Sequence, residues 1–164
     1  MILSIDPGKR HAGCALFDDK ELACAWLVKA NKTYAEAVGS WGVATAHAVR
    51  DDLLKRVYPG VIEVAVIEKP VVRKGHSSKI SNDCVDLAIM GGAFAGVHCE
   101  QIEKVHFYIP EDWKGQVPKG VMIERIQSRL DEEEFGRVDL PDNKKRQTDV
   151  WDAVGIGLKY IGRL

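Results

Sequence analysis

Apolar positions follow two different periods along this chain. Residues 2–6 form a short apolar run ending on Asp6, the pattern of a strand buried on both faces. Residues 13–17 and 22–28 are two more strand-like runs, and Asp18-Asp19-Lys20 between them suits a hairpin loop. Together they predict an antiparallel meander. From Thr33 to Lys55, Ala35, Val38, Val43, Ala46, Val49, Leu53 and Leu54 make a stripe at helical spacing. Pro59-Gly60 ends that unit, and the β-branched run 61–67 predicts a fourth strand. A polar loop is expected over 69–80. Ser81 or Asn82 is placed to cap a helix running to about His98, whose Gly91, Gly92 and Gly96 predict close packing. Residues 102–109 predict a fifth strand, 110–120 a loop and 121–135 a helix with an acidic, solvated end. After the polar, basic stretch 136–147, Thr148 is read as the cap of a last helix reaching towards Ile161. The order predicts one α/β domain over residues 1–164: a mixed five-stranded sheet, three strands antiparallel and then parallel additions, with helices on both faces.

Composition narrows the classes. A length of 164 residues with 46% hydrophobic content fits one domain with a substantial core. The net charge of −1 carries no general excess of positive charge, so any nucleic-acid affinity must come from local basic patches. Cys14, Cys24, Cys84 and Cys99 form no C-x-x-C pair, which argues against zinc and for reduced core thiols in a cell interior. The first apolar run stops at Asp6, too soon for a secretory signal, and no run approaches the ~18 apolar residues of a membrane span. A soluble, cytoplasmic protein with no membrane and no nucleotide cofactor is expected.

The chemistry lies in the acids. Asp6 ends the first strand-like run before the turn Pro7-Gly8, and Glu68 ends the fourth before Lys69-Pro70. Ligand sites in open α/β sheets lie outside the carboxyl ends of strands. Asp149 and Asp152 are three apart in a helical pattern and share one face. Singly, each acid has a structural explanation in turn chemistry, solvation or the helix dipole. Jointly, they are like charges that need a cation to be held together, and hard oxygen donors suit Mg²⁺ or Mn²⁺. Four carboxylates suffice for two ions about 3.5–4 Å apart, the arrangement of two-metal phosphodiester hydrolysis.

Ile5-Asp6-Pro7-Gly8 with Gly13, then Ile67-Glu68, then Asp149-x-x-Asp152-Ala153 occur in an order and spacing that resemble RuvC-type Holliday-junction resolvases, of the ribonuclease H-like superfamily. The resemblance spans essentially the whole chain. It implies a ribonuclease H-like sheet and Asp6, Glu68, Asp149 and Asp152 as catalytic ligands of two Mg²⁺ ions, with Mn²⁺ substituting. It also implies a homodimer acting on branched DNA, above all four-way junctions, and leaving 5′-phosphate and 3′-hydroxyl ends. Tyr108-x-Pro110-x-x-Trp113-Lys114 is similar to a family segment whose lysines contact DNA, which points to Lys114 and Lys119. The intervening segment, Gly115-Gln116-Val117-Pro118, is shorter than the family's glycine-rich insert. Where the bacterial family carries a wedging aromatic after the fourth strand, this chain has Val71 and Val72, an aliphatic wedge at most. These departures resemble a divergent, phage-type member, for which the location would be the host cytoplasm.

Arg73, Lys74 and Lys79, and Lys144, Lys145 and Arg146 before the last helix, are candidates for phosphate contacts, with solvated loop charge as the plainer reading. His11 reads as a turn histidine. The helix over 81–98 is the candidate dimer face. Three other functions compete. A ribonuclease H-like enzyme would cut RNA–DNA hybrids. A YqgF-type nuclease would act on RNA, a group that Lys9-Arg10-x-x-Gly13-x-Ala15 resembles. A non-catalytic module would bind junctions without cutting them.

Overall fold

The computed structural model of the chain describes residues 1–56, 61–71, 78–97 and 102–164, the side chains of 78–83, 86 and 97 excepted. Five strands form one sheet: β1 (Ile2–Pro7), β2 (His11–Asp18), β3 (Glu21–Lys29), β4 (Ile62–Glu68) and β5 (Ile102–Tyr108). Their order across the sheet is β3-β2-β1-β4-β5. β1–β2 and β2–β3 pair antiparallel, and β1–β4 and β4–β5 parallel. The expected meander with parallel additions is present, and β1 lies at its centre, as its unbroken apolar run requires.

Side chains alternate across the sheet. On one face Leu3, Ile5 and Ile67 pack with Val49 and Leu53 of α2 (Trp41–Arg56) and with Met90 and Phe94 of α3 (Ser78–Val97). On the other, Phe17 and Val66 pack with Val150, Val154, Ile156 and Leu158 of the last helix, Lys144–Tyr160. Every residue of that helix from Val150 to Leu158 is buried.

Several helix boundaries differ from the sequence reading, each for a local reason. The stripe over 33–55 is two helices, α1 (Lys32–Val38) and α2. Gly39 between them adopts φ +67°, a left-handed cap that L side chains avoid. The expected loop over 110–120 holds a short helix, α4 (Pro110–Trp113), with proline at its start. The expected 121–135 helix is α5 (Lys119–Gln127) and α6 (Glu132–Gly136), because Asp131 and Glu134 form a capping box that starts a new helix. The last helix, α7, begins at Lys144 rather than after Thr148, since the Asn143 side chain accepts from the Lys145 amide. α3 begins at Ser78, before Ser81 and Asn82, so residues 78–80 are helical rather than loop. Of its glycines only Gly91 is packed, towards Phe107 and Ile67; Gly92 and Gly96 face outward with no described atom near.

The acidic run 131–134 is not wholly solvated. Glu134 is 2% exposed. It takes a bidentate pair from Arg163 at 2.6 and 2.7 Å and accepts the Leu22 amide at 2.7 Å. These bonds tie the C-terminal residues and α6 to β3. Cys14 is buried and Cys24 and Cys84 are half-buried, all as free thiols, while Cys99 lies outside the described residues. Among the described residues no helix is long and apolar enough to cross a membrane.

Candidate active site

The register of β1 on β4 pairs Ile5 with Ile67, so the next residues, Asp6 and Glu68, leave the sheet side by side. Ile5 and Ile67 point into the α2–α3 core, which turns Asp6 and Glu68 to the α7 face. There Asp149 and Asp152 come from α7. The docking of α7 is close. A Cβ on Gly13 of β2 would stand 1.8 Å from the Asp149 carbonyl oxygen, so only glycine admits the helix backbone. The Ser4 hydroxyl, two residues before Asp6, donates to the carbonyl of Ala153 at 2.7 Å.

The electrostatics mark a strained cluster of like charge. Asp6 has its carboxyl pushed well above the usual range, first by burial and then by the charges of Glu68, Asp152 and Asp149. Asp152, 5% exposed, is also raised by burial, against the pull of Lys114 and Lys119. Cations stand around the acids. Lys114 Nζ lies 3.3 Å from Glu68 Oε2 and 3.8 Å from Asp152 Oδ2, so one ammonium spans both carboxylates. Burial works against that charge, but Asp152, Glu68 and Asp6 outweigh it and hold the Lys114 pKa above its ordinary value. Lys119 Nζ is 3.5 Å from Asp152 Oδ2, and Arg146 Nη1 donates to Asp149 Oδ2 at 3.3 Å. Among the described residues no three His, Cys, Asp or Glu side chains close into a finished metal-binding group. The lysines occupy the space between the acids instead. A cluster that needs cationic charge and offers oxygen donors from three rigid elements fits a hard divalent ion by its donor chemistry.

Lys144 and Lys145 are exposed on the first turn of α7, and Arg146 beside them is committed to Asp149. They belong to the helix, not to a loop before it. Val71 is exposed just beyond β4. Val72, Arg73 and Lys74 lie outside the described residues, as does the Lys79 side chain. His11 opens β2 rather than occupying a turn, and burial, with the charges of Arg146 and Lys29, lowers its pKa. Trp113 entered the sequence reading only as part of a motif. Its indole Nε1 donates to Glu68 Oε2 at 2.6 Å. An aromatic next to Lys114 was the one available signal.

No protein-family model matches the chain, and no curated protein matches it by sequence. Solved structures do. RuvC of Thermus thermophilus in complex with a Holliday junction substrate superposes with a TM-score of 0.62 at 18% identity, over 99% of this chain and 96% of that one. This chain has the RuvC-type resolvase fold. A second Thermus thermophilus RuvC structure matches with a TM-score of 0.59 at 20% identity. The yeast mitochondrial Holliday junction resolvase Ydc2 matches with a TM-score of 0.62 at 12% identity, over 99% of this chain and 78% of that one. The RuvC-type fold accounts for the sheet order, with β1 and β4 adjacent and parallel and α7 laid across them.

Proposed function

We propose that this protein is a divalent-metal-dependent endonuclease that resolves four-way DNA junctions as a homodimer. The observation that supports the reading is that Asp6 and Glu68 leave adjacent parallel strands of a RuvC-type sheet side by side, with the Lys114 ammonium spanning Glu68 and Asp152. In this reading all four are metal ligands, holding two Mg²⁺ ions. Bound Mg²⁺ or Mn²⁺ supplies activation of the attacking water and neutralisation of charge on the leaving 3′ oxygen. The protein's own residues do the rest. β1, β4 and α7 hold the carboxylates on rigid elements, and the buried flank around Asp152 limits water. Lys114 and Lys119, which stand against Glu68 and Asp152, would contact the substrate phosphates. Lys144 and Lys145 at the exposed start of α7 extend the phosphate track, joined by Arg73 and Lys74 from the segment after β4 and by Lys79 from the first turn of α3. The products carry 5′-phosphate and 3′-hydroxyl ends.

Two sites related by a two-fold axis match paired incision. The outward face of α3 supports a dimer there: Val85, Ala88, Ile89, Gly92 and Gly96 are all exposed and recur at helical spacing, an apolar stripe with small residues that admit a close neighbour.

The test is cleavage of an end-labelled, immobile four-way junction with Mg²⁺ or Mn²⁺, beside linear duplex, a splayed fork and an RNA–DNA hybrid, with Asp6→Asn as control. Paired symmetric nicks lost in Asp6→Asn are the expected result. Cutting of the hybrid or of RNA alone would overturn the substrate. Tight junction binding with no cleavage would make the protein a binding module.

A further inference from the structure

We infer that Trp113 is a positioning residue for the metal site, holding the Glu68 carboxylate through its indole N–H. The inference rests on the reading of Glu68 as a metal ligand. The bond is short, 2.6 Å from Nε1 to Oε2, and the indole is 4% exposed. A hydrogen bond to a carboxylate from a buried, neutral donor removes one oxygen from competition and fixes the rotation of the group. An indole can only donate, so this contact has one polarity in every state of the site.

The ring is itself fixed from behind. A Cβ on Gly155 of α7 would stand 2.7 Å from Trp113 Cζ3. Gly155 follows Asp152 by three residues on the same helix, so the helix surface that presents Asp152 also seats the indole that holds Glu68. β4 supplies one carboxylate and α7 the other, and Trp113, leaning on α7, couples the two. Lys114 completes the arrangement: its ammonium lies 4.6 Å from the Trp113 ring and 3.3 Å from the same Oε2 that the indole holds. The indole contact does not depend on the lysine, so it would still hold Glu68 if Lys114 turned to a phosphate.

Trp113→Phe keeps an aromatic ring in the seat and deletes only the donor. Gly155→Ala keeps the donor and disturbs the seat. Mn²⁺ affinity is measured by calorimetry on the wild type and both variants, with thermal melts to establish folding, and the indole Nε1–H resonances are followed by ¹⁵N NMR. Expected are folded variants that bind Mn²⁺ roughly 10–100-fold more weakly. The Trp113 indole resonance should move in Glu68→Gln and on addition of diamagnetic Mg²⁺ to the wild type. In junction cleavage the half-saturating Mg²⁺ concentration should rise more than kcat falls. Unchanged Mn²⁺ affinity in a folded Trp113→Phe, with a wild type that binds and cuts, overturns the positioning role and leaves the nuclease reading intact. If Trp113→Phe does not fold, Gly155→Ala and the response of the indole resonance to Glu68→Gln decide: an unmoved resonance overturns the inference. A wild type that neither binds Mn²⁺ nor cleaves overturns both.

Discussion

The Ser4 hydroxyl donates to the Ala153 carbonyl across 2.7 Å of buried space, joining β1 to α7 between Asp6 on one element and Asp152 on the other. It also approaches the Ala15 carbonyl of β2 at 3.3 Å. A mid-helix carbonyl already serves the helix ladder, so this contact uses its second lone pair and fixes α7 along the strand direction. Ser4→Ala removes the hydrogen-bond donor in a fully buried place. We expect a loss of about 0.5–1.5 kcal/mol in urea unfolding with an unchanged m-value. An unchanged midpoint would mean that apolar packing alone sets the position of α7.

Gly13→Ala should be more damaging to the site than to the fold. The added methyl would lie 1.8 Å from the Asp149 carbonyl oxygen, a backbone atom that cannot rotate away. α7 must lift at the turn carrying Asp149, while its packing further along, from Val154 to Leu158, can persist. Junction cleavage should fall by at least ~100-fold, the size of effect expected from a misplacement of about 1 Å. Circular dichroism should remain near that of the wild type. Activity within a few-fold of wild type would show that α7 adjusts without moving its carboxylates.

Asp6→Asn should separate stability from function. Asp6 is disfavoured as an anion by burial and by Glu68, Asp152 and Asp149, so deleting its charge relieves repulsion in the metal-free protein. A gain of about 1 kcal/mol would appear as a Tm rise of about 2–4 °C. Added Mg²⁺ should raise the Tm of the wild type and not of the variant. Equal Tm values without metal would contradict the repulsion argument.

Acid stability should reflect Glu134. Hydrogen bonds from Arg163 hold its carboxyl down at about 2, although burial alone would push it up. The folded pKa lies below the ordinary value of 4.5, so the unfolded chain takes up the proton first. The stabilisation is therefore fully present above about pH 4.5 and is lost as pH falls towards 2, and it amounts to about 3 kcal/mol. Glu134→Gln should flatten the unfolding free energy between pH 5 and pH 2.5 by roughly that amount. A curve as steep as the wild type's would place the acid sensitivity in other carboxylates.

Sheet and site were legible in the chain to different depths. Strands read well because an apolar run such as Ile2–Ile5 has one use, a buried central strand, and because Asp18–Lys20 has turn chemistry. The four acids stood out because each ends a strand or shares a helix face. Helix ends read poorly. The Gly39 break and the Asp131–Glu134 capping box depend on one or two residues inside longer apolar patterns. Glu134 looked like one of a solvated acidic run, since nothing local announces that Arg163, far along the chain, will pair with it.

Sequence by itself determined the elements and the residues able to do chemistry, because hydrophobic period and side-chain type are local properties. Only the tertiary structure decided which of them meet. The Ile5–Ile67 register set Asp6 beside Glu68, the glycine at position 13 brought Asp149 against β2, and the seat at Gly155 turned the Trp113 indole onto Glu68. Those relations arise from close packing between elements distant in the chain, where a single Cβ or one carbonyl fixes the distance, and no run of neighbouring residues encodes them.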